Sequence, residues 1–276
     1  MKTDLIYGVE DRPPFKDALF AALQHLLAIF VAIITPPLII ASALKLDVEK
    51  TSFLVSMSLF ASGVSTFIQC RRIGPIGAKL LCIQGTSFSF IGPIIATGLV
   101  GGLPLIFGSC IAAAPIEMVV SRTFKYLRNI ITPLVSGIVV LLIGLSLIKV
   151  GIVSCGGGYG AMDDGSFGSW ENLSIAALVL LSVLFFNRCK NKYLRMSSIV
   201  FGLCLGYGLA FALGKVNMSA LNVEMLMSFN IPQPFKYGID FNISSFIAIG
   251  LVYLITAIEA TGDVTANSMI SGLPIE

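Results

Sequence analysis

Glu259 stands at the far end of the apolar run 246–258. A charged side chain at membrane depth costs about 2.5–3.5 kcal/mol on insertion scales, so it persists where it faces a cavity, a partner or a substrate. Asp263 follows four residues on, one helical turn further and on the same face if the helix continues. Two acids on one stripe suggest a polar pathway. A second constellation is Gln84-Gly85-Thr86-Ser87, which precedes the run 88–95 with Gly92-Pro93 inside it. Polar, Gly-interrupted stretches at membrane depth occur where backbone lines a cavity, and the exposed amides of a half-helix starting near Ser87 favour an anionic or carbonyl-rich ligand. The plainer alternative has Gln84, Thr86 and Ser87 hydrogen-bonding to neighbouring helices. His25 is the only histidine. Within Leu23-Gln24-His25-Leu26-Leu27 it fits a buried neutral imidazole bonded to a neighbouring helix, or a group that contacts substrate or transfers a proton.

Other chemically capable residues carry less. The six cysteines, Cys70, Cys82, Cys110, Cys155, Cys189 and Cys204, lack metal-ligand spacing and read as small buried apolar residues. Glu117 is placed to pair with Arg122 or to snorkel to the interface. Gly156-Gly157-Gly158-Tyr159-Gly160 lacks the Lys-Ser/Thr of a phosphate loop and precedes Asp163-Asp164, which suits a flexible outer loop. Asn172, Asn217 and Asn242 open N-x-S triplets near expected outer loops, a pattern common by chance. No nucleophile is paired with a base, and one histidine does not build the usual metal cages. Enzyme action therefore has no positive support.

The elements that must hold these groups follow from composition. With 56% hydrophobic and 12% charged residues, against roughly 25% charged in soluble domains, most of the length cannot be solvated surface. An all-α polytopic membrane protein is expected. Eight apolar segments are long enough, or nearly so, to cross hydrocarbon as helices of about 20 residues: 18–41, 53–68, 80–99, 103–120, 133–153, 173–186, 196–213 and 244–261. With the N-terminus cytoplasmic, only Lys45, Lys50, Lys149, Lys215 and Lys236 of the 18 basic residues fall outside, the asymmetry of the positive-inside rule. The net charge of +3 then reflects basic juxtamembrane loops beside anionic lipid and needs no nucleic-acid partner. No cleavable signal peptide is evident. Pro36-Pro37 should kink the first helix, and Thr132-Pro133 should cap and start the fifth, where Gly137 and Gly144 suit close helix approach.

Several stretches also carry a resemblance. Asp11-Arg12-Pro13-Pro14, Gln24-His25-Leu26-Leu27-Ala28, Ile130-Ile131-Thr132-Pro133-Leu134-Val135-Ser136-Gly137, Ile143-Gly144-Leu145-Ser146-Leu147-Ile148, Pro234-Phe235-Lys236-Tyr237-Gly238 and Glu259-Ala260-Thr261-Gly262-Asp263-Val264-Thr265-Ala266 resemble the nucleobase/ascorbate transporter family, nearest its bacterial xanthine permeases. Lys79 falls where a small residue is usual. The resemblance implies a fold of fourteen spans in two inverted repeats of seven, split into core and gate, with a short strand interrupting span 3. On that pattern 1–17 is a cytoplasmic segment, 18–130 core spans 1–4, 131–214 gate spans 5–7, 215–243 an outer loop, and 244–276 span 8 of the core. The family continues through six more spans, so the 276 residues are expected to be an incomplete transporter.

The implied activity is proton-coupled symport of purine nucleobases, xanthine or uric acid, by alternating access. Glu259 would bind the nucleobase, with Ser87, Phe88 and Gln84 completing the pocket, while Asp263 and His25 would serve proton coupling. No cofactor beyond the proton is implied. The expected setting is the bacterial inner membrane, with membrane lipid around the chain and a homodimer formed through the gate. A uracil permease, an anion exchanger or channel of the same architecture, and a non-transporting membrane fragment are the alternatives.

Overall fold

Apolar runs in lipid can satisfy their backbone groups only within themselves, and the chain folds accordingly as helices. The structure, a computed structural model, describes residues 7–127, 133–190, 194–195, 197–216 and 231–272. Helix α1 spans Phe15–Ala43, α2 Val48–Arg71, α3 Ile91–Leu127, α4 Pro133–Cys155, α5 Gly158–Asp163, α6 Trp170–Asn187, α7 Ser198–Ala212 and α8 Ile243–Ser271. A single 3-10 turn, Phe88–Phe90, precedes α3. Among the described residues, Val48–Arg71, Phe88–Thr123, Trp170–Asn187 and Ile243–Thr265 are long and apolar enough to cross a membrane, while Ile29–Ala43 and Ser198–Ala212 are shorter apolar helices.

Helix α3 has 37 residues, which as one straight rod would reach about 55 Å, well beyond a hydrocarbon core of about 30 Å. It breaks at Gly101 and Gly102, and Gly102 takes φ 65° with ψ −161°, a conformation that glycine alone adopts readily. The two limbs correspond to the third and fourth apolar segments. Helix α1 runs on through Pro36-Pro37, with the Thr35 hydroxyl donating to the Val31 carbonyl at 2.6 Å. Among the described residues α4 runs from Pro133; its expected cap, Thr132, lies outside them.

The short strand expected in span 3 is not formed among the described residues. The chain ahead of the 3-10 turn is extended, with Ser87 at φ −92° and ψ 132°, but it joins no ladder; the one bridge is an isolated pairing of Ile73 with Ile76. Side chains of α2 take the place of a partner strand. The Ser62 hydroxyl donates to the Gln84 carbonyl, and the Gln84 N–H donates to Thr66 Oγ1 at 2.9 Å. Ser62 and Thr66 are four residues apart on one face of the helix, so they reach the donor and acceptor of a single residue.

The described residues group into two compact units, divided at Thr35/Pro36 in α1 and at Ile148/Lys149 in α4. In the unit holding α2, α3 and α8, the second limb of α3 packs along α8, and Ser109, Ala113 and Ile249 are fully buried there. Small residues permit that approach: a Cβ on Gly250 would stand 2.8 Å from Ile116. The loop before α8 closes on the same limb. Asp240 N–H donates to the Pro104 carbonyl at 3.0 Å, and a Cβ on Gly108 would collide with the Asp240 carbonyl. Tyr237 stacks on Phe107 at 6.2 Å and meets Phe53 edge-on at 5.6 Å. Lys236 Nζ lies 4.4 Å from the Phe53 ring centre and 3.6 Å from Glu49.

The other unit pairs α6 with α7. Gly202 and Gly206, one turn apart, admit the side chains of Val183 and Val179, the close approach that small residues allow between apolar helices. The glycine-rich stretch after α4 is not the flexible loop expected. It contains α5, and Gly156 is held by Gly168 N–H at 2.9 Å and by Asn172 Nδ2 at 2.9 Å. Asn172 also accepts from Lys215 Nζ at 3.0 Å, and Lys215 pairs with Glu171 at 2.9 Å. Asn242 caps α8, its Oδ1 accepting from Ser244 N–H at 2.8 Å. Both asparagines are thus structural groups, and Asn217 lies outside the described residues.

Candidate functional site

Glu259 projects from α8, a helix that continues unbroken to Ser271 because neither Gly262 nor the β-branched Thr261, Val264 and Thr265 interrupts it. Thr261 and Thr265 return their hydroxyls to the carbonyls four residues back, at 2.8 and 2.7 Å, so neither competes for the acids beside them. Glu259 is half-buried and Asp263 exposed. The two carboxylates are electrostatic neighbours. Glu259 Oε2 is itself buried and has no hydrogen-bond partner among the described residues. A buried carboxylate oxygen left open in this way is costly unless something else supplies the donor.

Opposite Glu259 stands the 3-10 turn. Ser87 caps it, accepting from Ser89 N–H at 3.3 Å, and Phe90 packs edge-on to Tyr253 of α8 at 4.9 Å. The Tyr253 hydroxyl lies 3.4 Å from the Cys110 carbonyl, so one tyrosine ties turn, α3 and α8 together. The buried Ser89 hydroxyl, between the two phenylalanines, lies within reach of the Glu259 carboxylate as a donor. The extended segment is pinned at its start as well, Asn267 Nδ2 donating to the Leu81 carbonyl at 3.2 Å.

Of the residues expected to form a site, Gln84, Ser87, Phe88 and Glu259 lie in one unit on the elements just described. The Gln84 side chain turns back to the Cys82 carbonyl at 3.3 Å. Phe88 opens the turn and is half-buried. His25 is exposed on α1, in the other unit, unlike the buried imidazole that its setting suggested. Ser89, Phe90, Tyr253 and Asn267 are additions. A lone serine between phenylalanines carries little signal, although its position next to Ser87 ahead of Gly92-Pro93 marks it in retrospect.

Glu117 is half-buried and near the Tyr253 hydroxyl, and no ion pair with Arg122 forms among the described residues. The cysteines are less buried than expected, with Cys155 and Cys204 exposed and the rest intermediate. Among the described residues no three His, Cys, Asp or Glu side chains gather as metal ligands.

Comparison with known proteins places this arrangement. The family model Xan_ur_permease, described as Permease family, matches residues 16–276. Xanthine permease XanQ of Escherichia coli (strain K12) is 47% identical over 99% of this chain and 60% of its own length. Xanthine permease XanP of the same organism is 46% identical over 99% of this chain and 61% of its own. Uric acid permease PucJ of Bacillus subtilis (strain 168) is 34% identical over 92% of the chain and 57% of its length. The chain thus spans about three fifths of the relatives it matches. These relatives are transporters by name, not enzymes. With a match running almost from end to end and helices apolar enough to cross a bilayer, the chain is an integral membrane protein of the permease family.

Proposed function

We propose that this chain carries the nucleobase-binding half of a proton-coupled purine permease, with xanthine or uric acid as the transported base. The observation that carries the reading is Glu259 Oε2, a buried carboxylate oxygen without a partner among the described residues, on the helix that packs against the 3-10 turn. A purine ring would lie between α8 and the turn, its N–H donating to Glu259 and its face against an aromatic such as Phe88. The names of the relatives support a purine ahead of uracil or an inorganic anion.

In this proposal the eight apolar segments all cross the membrane, the N-terminus is cytoplasmic, and residues 18–130 with 244–276 act as the core against a gate of 131–214. Asp263 and His25 serve the proton. Proton binding at Asp263 or Glu259 changes the charge of the core and biases its rocking against the gate, which alternates access to the site. A homodimer forms through the gate.

The test is uptake of radiolabelled xanthine by cells expressing the full reading frame that carries this chain. Uptake that a protonophore stops, and that excess uric acid but not uracil competes, supports the reading. Xanthine uptake indifferent to the proton gradient would remove proton coupling, and chloride or sulfate flux without any nucleobase uptake would move the assignment to an anion carrier.

A further inference from the structure

Helix α2 has 24 residues. It therefore rises about 36 Å, enough to carry its end past a hydrocarbon core of about 30 Å to headgroup level. There the chain turns back in a tight loop, 72–79, in which Ile73 and Ile76 exchange backbone hydrogen bonds at 2.9 and 3.2 Å. Arg72 N–H returns to the Ile68 carbonyl at 2.9 Å and Lys79 N–H to the Gln69 carbonyl at 3.1 Å, so both ends of the loop sit on consecutive carbonyls of one helix end. Gly77 permits this closure, since a Cβ there would collide with the Ile68 carbonyl. The loop thus gathers three cations, Arg71, Arg72 and Lys79, all of them exposed. Basic side chains near a helix C-terminus often bond its last carbonyls, but here backbone amides take two of those carbonyls. No acid occurs between Glu49 and Glu117, and among the described residues none of the three cations forms an ion pair. The Arg71 guanidinium lies 5.8 Å from the centre of the Phe67 ring. Phe67, Ile73 and Ile76 are exposed beside these charges.

Unpaired cations next to exposed apolar side chains, at headgroup depth, complement a molecule that is a phosphate at one end and a hydrocarbon at the other. We propose that residues 71–79 form a binding site for an anionic phospholipid. Arg71, Arg72 and Lys79 hold the headgroup phosphate by charge-assisted hydrogen bonds, while Ile73 and Ile76 enter the acyl boundary. A free phosphate would use the cations but gain nothing from the isoleucines. The site is a defined one, beyond the general attraction of basic loops to anionic lipid, and Lys79 supplies its third charge at a position where the family resemblance leads one to expect a small residue. It does not depend on which ligand Glu259 takes.

The experiment uses the protein expressed from the full reading frame and purified in an uncharged detergent. Native mass spectrometry measures its retention of phosphatidylglycerol against phosphatidylcholine with the same acyl chains. The variants are the triple change Arg71→Gln, Arg72→Gln, Lys79→Gln, the pair Ile73→Ser, Ile76→Ser, and a control triple at another exposed basic stretch, Arg188→Gln, Lys190→Gln, Arg195→Gln. The wild type should prefer phosphatidylglycerol, and each charge removed from the loop should weaken that preference about fivefold, or about a hundredfold for all three. The isoleucine pair should also weaken retention, and the control triple should leave the preference within about twofold of wild type. Equal retention of the two lipids by the wild type, or an equal loss in the control triple, would overturn the site. Displacement of the lipid by inorganic phosphate, with no effect of the isoleucine pair, would overturn it in favour of a soluble anion. Raising the salt concentration on the wild type gives a check that needs no variant to fold: screening should release phosphatidylglycerol, and a preference indifferent to salt would contradict the phosphate contacts.

Discussion

Glu259 and Asp263 are one helical turn apart, yet the first is half-buried against the turn Phe88–Phe90 and the second exposed. A ligand bound at the turn would meet Glu259 directly, whereas Asp263 acts on it through space. On that division Asp263→Asn should impair proton-driven accumulation of xanthine more than its binding. Parallel measurements of steady-state accumulation and of competition constants would show it, and an equal loss in both would place Asp263 in the binding site. Glu259 was legible because an acid closing an apolar run stands out in sequence. Ser89 was not, because a hydroxyl among phenylalanines gains meaning only when the fold brings it to a carboxylate. The burial expected of His25 also failed, since depth along a helix says nothing about which face a side chain takes.

The extended segment before the 3-10 turn was legible at the scale of the element, from Gln84-Gly85-Thr86-Ser87 at membrane depth. Its partner was not. A strand was expected, but the hydroxyls of Ser62 and Thr66 satisfy the Gln84 backbone, and two hydroxyls in an apolar helix look like many others. Thr66→Val would leave a part-buried N–H unpaired, at a cost of about 1–3 kcal/mol. The expected outcome is a lower Tm in detergent together with weaker xanthine uptake, and an unchanged Tm would contradict the backbone role.

Gly108 allows a second, independent check. A Cβ there would collide with the Asp240 carbonyl, so Gly108→Val must push the loop before α8 off α3, at about 1–3 kcal/mol of overpacking. Thermal unfolding in detergent should register that loss, and a stability equal to wild type would show that the loop does not sit where described. Asp47 caps α2 with its carboxylate held below the usual range, chiefly by the side-chain hydrogen bond with Lys50. Because the folded value is lowered, that contribution is full above the ordinary carboxylate range and fades as pH falls through the lowered value.

Among the described residues, many large apolar side chains face outward. Leu81 is 80% exposed, Phe185 67% and Leu251 56%, a pattern that water would not tolerate in a monomer and that lipid accepts. The protein should therefore stay in the membrane pellet after alkaline carbonate extraction, and its release to the supernatant would contradict an integral placement. Composition made this class legible at once. It could not reveal the break of α3 at Gly102 or the bonded network around Asn172, because both depend on contacts between distant segments or on one backbone angle.

Purine binding at Glu259 is decided by xanthine uptake in the wild type and Glu259→Gln, expressed from the full reading frame at matched membrane levels. Glutamine keeps the shape but turns one acceptor oxygen into a donor, so the expected result is uptake by the wild type and none above background in the variant. Wild-type uptake by Glu259→Gln would contradict it.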